Sequence, residues 1–311
     1  MLCSPEALQS LKGAVVVLPA VSYANVGELA VDVLVASLQP ASLGPVESVN
    51  VLPAVGNDAF DAAGPGPRAG LAGPSGGGAL CTALELFGVP GRPLVFLQQR
   101  APAMLGRQAA FAQELVSWLV AAGAAAVVVL TGLDAGLRGD RQLDSSPFRF
   151  LASSDELRAA VSAAAAAPPP PTIPAPWAPP PTADPFAPPL AAQPLAELEP
   201  EVRQEELELH HSLPPWPVVQ ECTAQGLPYV MLGCFAAEGD NGGEGLGLAG
   251  HALRLLGAMR GQGKQGEGAK EEVKGAEEGG VLGPAGAQGL ALRTPGSWVG
   301  LYGRSYPMEI F

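Results

Sequence analysis

Four consecutive residues, Glu238-Gly239-Asp240-Asn241, offer two carboxylates and an amide in a short stretch. Carboxylates so placed suit a hard cation or a general base. They also suit a plainer task, since Asp and Asn open helices by accepting a bond from a free backbone amide. The plainer reading is preferred. A second stretch, Pro19 to Gly27, joins an apolar run to a helix start, where exposed amides could hold an anion. It has neither a GxGxxG fingerprint nor a P-loop lysine, and Asn25 is needed there as the helix cap. Ser22 and Ser145 stand outside any GxSxG elbow. His210 and His211 follow an acidic run and are expected to be solvated, and His251 lies in a helical pattern. Cys3, Cys81, Cys222 and Cys234 form no CxxC pair, so reduced thiols in a cytoplasmic or nuclear protein are expected. No metal, cofactor or catalytic residue is expected.

Two other segments point to recognition. In Leu143 to Leu151, Phe148, Arg149 and Phe150 fall in what reads as a connection. They either plug the edge of the core or form a contact surface for another protein, because aromatics with Arg make efficient anchors. The stretch from Trp298 to Phe311 holds four aromatics and ends in Ile310-Phe311. It either packs back on the domain or enters a partner's pocket, side chain and carboxylate together. Phe148, Arg149, Phe150, Ile310 and Phe311 are the candidate protein-binding residues.

The elements that must position these groups alternate between strand and helix patterns. Apolar runs at Ala14–Leu18, Val46–Val51, Leu80–Phe87, Leu94–Leu97, Ala125–Leu130 and Tyr229–Phe235 read as strands. Helices follow Asn25, with Glu28 placed to complete a capping box, and span Leu105–Ala122. Others begin at Ser153 and run through Leu246 to Leu256. The uncharged stretch Leu115–Leu133 is long enough to span a bilayer, but Gly123 divides it into a helix and a buried strand. The pattern predicts an α/β/α sandwich with a central, largely parallel sheet, forming one domain over 1–311. Its core covers about 12–60, 79–167, 226–257 and 291–311. Inserts at 64–78, 168–217 and 257–290, rich in Pro or Gly, are expected to be flexible. Sites in such sheets lie beyond the carboxyl ends of the strands, here Pro19–Asn25, Thr131–Asp134 and Ala236–Asn241.

Composition narrows the partners. With 17 basic and 30 acidic residues the net charge is −13, which argues against nucleic acid and anionic membrane. Aromatics are 5% of the chain, too few for base-stacking platforms. Gly and Pro, 40 and 33 residues, are abundant enough to imply Gly- and Pro-rich inserts between folded segments, while a mean hydropathy of +0.23 still leaves a core.

Several segments, taken in order, resemble the proteasome assembly chaperone 2 family. They are Leu18-Pro19-Ala20-Val21-Ser22 with Asn25-Val26-Gly27, then Pro53-Ala54-Val55-Gly56-Asn57, then Leu97-Gln98 with Arg100. Leu143 with Ser145 to Phe150, Glu238 to Asn241, and Ser297-Trp298 complete the set. The resemblance covers about 14–60, 93–151, 228–256 and 295–311, and leaves out the inserts. It implies a non-enzymatic chaperone with a phosphorylase-like sandwich. It also implies a heterodimer with proteasome assembly chaperone 1 that engages proteasome α-type subunits and promotes α-ring assembly. Such a chain would hide an apolar face and be poorly soluble alone. One departure stands out: proteasome-binding tails end in hydrophobic-Tyr-any residue, and here Ile310 occupies the Tyr position, so the partner chaperone would supply the stronger tail. The alternative is a phosphorylase-like or nucleosidase-like enzyme using the Glu238–Asn241 loop.

Overall fold

The computed structural model describes residues 1–21, 23–57, 60, 80–173, 190–259, 281–282, 290–295 and 298. In chain order the elements are α1 (Pro5–Ser10), β1 (Val15–Pro19), α2 (Val26–Leu38), β2 (Ala41–Pro45), β3 (Val55–Asn57), β4 (Leu80–Thr82) and β5 (Leu84–Gly88). There follow β6 (Leu94–Gln99), α3 (Gln108–Ala122), β7 (Ala126–Asp134), α4 (Asp140–Leu143), β8 (Phe148–Ala152), α5 (Asp155–Ala165) and β9 (Thr172–Ile173). The last six are β10 (Ala196–Glu197), α6 (Pro200–His210), α7 (Trp216–Gln225), β11 (Tyr229–Ala236), α8 (Gly242–Ala258) and β12 (Leu292–Arg293).

Eight strands form one sheet in the order β10-β8-β11-β7-β1-β6-β5-β2. Its centre, β11, β7, β1 and β6, is parallel. The flanking β8 and β5 run antiparallel to their inner neighbours. Parallel strands need crossovers, and crossovers place helices on both faces. Alternate residues therefore serve opposite layers. Val15, Val17, Val128, Leu130, Val230 and Leu232 pack with α2, α5 and α8. Val16, Leu18, Val127, Val129 and Met231 pack with α1, α3, α6 and α7. Each such side chain, fully buried, contributes about 1.5–3 kcal/mol. A hydrogen bond contributes about 1 kcal/mol net. The two apolar layers, not the polar contacts, supply most of the cohesion.

The layered α/β fold matches the sequence reading, and so does the division of Leu115–Leu133. Gly123 takes φ 78° after α3, and β7 begins three residues later. Among the described residues no helix is long and apolar enough to cross a membrane. Three readings differ. Val46–Val51 is not a strand; the edge of the sheet is β2, just before it, half exposed and bent by a bulge at Ser42–Gly44. Leu80–Phe87 breaks at Ala83 into β4, which leaves the main sheet to pair with β3, and β5, which stays in it. The expected insert 168–217 contains β10, α6 and the start of α7, and within 257–290 Val281 and Leu282 are buried in the core. The insert 64–78 and the tail residues Ile310 and Phe311 lie outside the described residues.

Candidate functional site

The carboxyl ends of β1, β6, β7 and β11 meet at one end of the sheet, where a ligand crevice belongs. The junction between β1 and α2 lies directly on β7. The Ala20 amide donates to the Leu130 carbonyl at 2.7 Å. A Cβ on Gly27 would sit 2.2 Å from that same carbonyl oxygen, and one on Gly132 would sit 2.0 Å from the Tyr23 carbonyl oxygen. Only glycine permits backbones this close. Contact of that kind leaves no space for an anion between β1 and β7. Asn25 does not act as the expected cap: it takes φ 53°, in the left-handed region, and its side chain makes no cap bond. An N-cap side chain reaches the first-turn amides from extended backbone, which Asn25 lacks.

Glu28, instead of completing a capping box, enters a polar cluster at the end of β6. Asp32 accepts from Gln98 Nε2 at 2.5 Å and from Arg100 Nη2 at 2.8 Å. Gln98 Nε2 also donates to the Glu28 carbonyl at 3.1 Å, and the Arg100 guanidinium lies 5.1 Å from the Phe60 ring centre. Glu28 as a residue is half-buried, but its Oε2 is shut off from solvent and has no hydrogen-bond partner. Burial, helped by the neighbouring Asp32 charge and opposed by Arg100, pushes its carboxyl up to about 8. A carboxyl that keeps its proton at neutral pH is what an acid catalyst needs. Here the nearby donors of Gln98 and Arg100 are turned toward Asp32.

The remaining crevice is closed by the segment that the sequence reading took for a flexible insert. Glu199 pairs with Arg149 through both oxygens, at 2.8 and 3.0 Å. Burial alone would raise the Glu199 carboxyl, but the Arg149 hydrogen bonds carry it below the usual range. Glu206, buried, accepts from the Asp134 amide at 2.9 Å and from Trp216 Nε1 at 3.3 Å. His210 Nε2 lies 2.7 Å from the Tyr23 hydroxyl and 3.4 Å from Asp134 Oδ2. His210 is therefore not the solvated residue expected, because α6 carries it onto the ends of β1 and β7. Tyr23 and Asp134 approach the same His210 nitrogen, so the line lacks the relay of a nucleophile, base and orienting acid, in which each partner takes its own ring nitrogen. Burial, with the Asp134 and Glu206 charges, also raises the Tyr23 phenol above its usual 10, so its oxygen stays protonated. The line works as a latch for α6.

Phe148, Arg149 and Phe150 do not form an exposed contact surface. They make β8, an inner strand between β10 and β11, and all three are buried. Phe148 packs 4.5 Å from the His251 ring, and burial beside Arg254 pushes that imidazole down to about 3. Arg149 is tolerated inside because Glu199, the Ser146 and Phe148 carbonyls and Ser145 Oγ take its donors. In the Glu238–Asn241 loop, Asp240 Oδ1 accepts from the Gly242 amide at 3.1 Å. Asn241 Nδ2 donates to the Ala237 and Gly239 carbonyls at 2.9 and 3.0 Å. Asn241 stands at the cap position of α8 but makes no cap bond, so these local bonds tie the loop to itself and do not cap the helix as the plainer reading expected. A cavity of about 1200 Å³ opens at the other end of the sheet, lined by residues that include Leu151, Arg203, Leu207, Cys222 and Tyr229. Among the described residues no three His, Cys, Asp or Glu side chains are placed to hold a metal. Burial pushes the Cys222 thiol up to about 12, which makes it inert rather than nucleophilic.

A family model described as the PAC2 family matches residues 16–178, more than half of the chain. The chain belongs to the PAC2 family. Proteasome assembly chaperone 2 of Nematostella vectensis is 29% identical over 235 residues, 74% of this chain and 83% of that one. Proteasome assembly chaperone 2 of Homo sapiens is 34% identical over 146 residues, 47% of this chain and 52% of that one. The alignments thus span about half the length of this and the Bos taurus relative, which is 32% identical. Among solved structures, Pyrococcus furiosus PbaA, an archaeal homolog of proteasome-assembly chaperone, is 14% identical with a TM-score of 0.47. That match covers 79% of this chain and 82% of that one. A methylthioadenosine/S-adenosylhomocysteine nucleosidase of Campylobacter jejuni is 8% identical with a TM-score of 0.41, over 78% and 95% of the two chains.

For this PAC2-family chain, sequence reasoning missed Glu199, Glu206 and His210 as partners of the strand ends. A signal existed. Pro200 sits at the first position of a helix, where proline favours a start, and Val202 and Glu206, four residues apart, share its buried face. The abundance of Pro and Glu around them hid the pattern.

Proposed function

We propose that this PAC2-family chain is an assembly chaperone for the proteasome core particle. It acts by holding other polypeptides, as a heterodimer with proteasome assembly chaperone 1 that engages α-type subunits and promotes α-ring formation. The observation that carries the reading is the run of relatives named proteasome assembly chaperone 2, one aligned over 74% of this chain. The geometry of the strand ends supports it. The place where this fold would hold a substrate is occupied by the chain's own Tyr23, Asp134, Glu206 and His210, bonded to one another. The carboxylate of Asp240, on which an enzymatic reading depends, is bonded to the Gly242 amide of its own loop. The work is proposed to take place in cytoplasm and nucleus.

Reconstitution tests the reading. Purified α-type subunits are mixed with the chain co-expressed with proteasome assembly chaperone 1, and ring species are followed by native electrophoresis. The pair is expected to speed ring formation and to co-migrate with α subunits. Unchanged ring formation, together with turnover of a nucleoside panel that Asp240→Ala abolishes, would replace the chaperone by an enzyme.

A further inference from the structure

The cavity at the other end of the sheet opens along a bare edge of β8. β10 covers that edge only as far as Phe150, whose carbonyl accepts from the Leu198 amide at 2.8 Å. Pro200 then starts α6, and the chain leaves the sheet. Ser154, just past the end of β8, still has extended backbone, with φ −147° and ψ 161°. Between them, the Ser153 amide donates inward, to the Tyr229 carbonyl at 3.0 Å. Successive strand residues turn their backbone groups to opposite sides, so the Ala152 amide and carbonyl and the Ser154 amide turn outward. Among the described residues none of these three groups has a hydrogen-bond partner. Ala152 is nonetheless buried, and buried backbone groups are nearly always paired. Ala152, Ser153, Ser154 and Leu198 all line this same cavity.

The space fits an extended polypeptide better than a small molecule. At about 1200 Å³ it exceeds the roughly 300–1,000 Å³ of drug-sized pockets. Its backbone edge offers a donor, an acceptor and a donor at strand spacing, the template on which an added strand pairs. Leu151, Leu198, Leu227 and Tyr229, with Leu207 from α6, belong to the apolar layer on one face of the sheet, and all five line the cavity. A strand laid beside β8 would turn every second side chain toward them. Charge selects among such strands. Of the lining carboxylates, Glu199 is taken by Arg149, Glu197 by Arg158 and Glu208 by Gln204. The Arg203 guanidinium, exposed on α6, has no partner among the described residues. A carboxylate on an incoming segment would meet it unopposed. We infer that this cavity is a groove for an extended segment of another polypeptide, added as a strand to β8 at Ala152 and Ser154. The segment carries apolar side chains at alternate positions and an acidic residue that pairs with Arg203. The inference stands apart from the proteasome reading, because it names a kind of segment and not a partner.

The test pans a phage-displayed library of random short peptides against the full chain. The most enriched sequence is then measured as a labelled synthetic peptide by fluorescence anisotropy. Enriched peptides are expected to carry apolar residues at alternate positions and at least one Asp or Glu. Arg203→Glu is expected to weaken binding about tenfold or more. Its melting temperature should stay within about 3 °C of wild type, because the replaced side chain is exposed. Arg141→Glu, the same change on exposed α4 beside the start of β8, should leave affinity unaltered. A peptide whose acidic residue is replaced by Lys should reverse the order and prefer Arg203→Glu. On wild type, hydrogen exchange at the Ala152 and Ser154 amides should slow at least about tenfold when the peptide binds. A library that yields no binder overturns the inference. So does a bound peptide that leaves both amides exchanging as in the free chain, since its contact then lies elsewhere. Affinity indifferent to Arg203→Glu overturns it as well. None of these outcomes alters ring formation in the reconstitution, which decides the chaperone reading separately.

Discussion

Gly132→Ala is expected to cost about 3 kcal/mol of stability or more, a large part of the roughly 5–15 kcal/mol by which a folded protein is stable. The methyl carbon would lie 2.0 Å from the Tyr23 carbonyl oxygen and 2.9 Å from the carbon behind it. Both are backbone atoms, so no side chain can swing aside. Gly132 sits in β7, which pairs with β1 on one side and β11 on the other, so the strand cannot retreat either. The strain must be relieved by lifting residues 23–25 off the sheet, a segment already holding Ala24 and Asn25 at φ 57° and 53°. Lifting it would also part the Tyr23–His210 contact that latches α6. Gly27→Ala meets the Leu130 carbonyl oxygen at 2.2 Å and should behave the same way. Gly56→Ala is the control: its methyl meets nothing within 4 Å, and the change should stay within about 0.5 kcal/mol. Urea midpoints of the three variants check the ranking. A Gly132→Ala midpoint equal to that of Gly56→Ala would mean that the junction does not pack on β7.

Glu28→Gln is expected to stabilise the protein at neutral and alkaline pH and to remove part of its pH dependence. Burial, with Asp32 adding its charge, holds the Glu28 proton up to about 8, against 4.5 for a free glutamate. The folded state therefore binds this proton more tightly than the unfolded chain does. Stability linked to Glu28 is full below about pH 4.5, falls as pH rises toward 8, and is level above that. The loss across that window is on the order of 3–5 kcal/mol, at 1.36 kcal/mol per unit. Glutamine keeps the shape and carries no proton to lose. Denaturation curves of wild type and variant should nearly coincide at about pH 5 and separate steadily, the variant ahead, up to about pH 8. Parallel curves across this range would show that Glu28 is solvated and ordinary.

Both predictions rest on contacts that the sequence does not display. Gly27 and Gly132 are single glycines in apolar surroundings, and their meaning comes from backbones a hundred residues apart being pressed together. Glu28 stands where a capping box would use it, and only the left-handed backbone of Asn25 withholds the partner. Arg149 reads as a surface residue until Glu199, fifty residues away, is seen to neutralise it. Local signals were legible. The periodicity of α3, the stop at Gly123 and the valine block of β7 each depend on a few neighbouring residues. The same holds for β1 and β11, whose apolar runs must be buried on both faces. Edge strands were not legible, because β2 is held by backbone pairing with β5 and not by an apolar pattern. Helix α6 was obscured by its composition, since two of the groups it brings to the strand ends, Glu206 and His210, are polar.

The central claim is that this chain works by holding other polypeptides. Native mass spectrometry of the tagged full-length chain, isolated gently from its own cells, tests it most directly. The expected spectrum is dominated by a species containing one copy of this chain, one partner chaperone and proteasome α-type subunits. A spectrum dominated by the lone chain, with neither chaperone nor α subunits in any species, would contradict it.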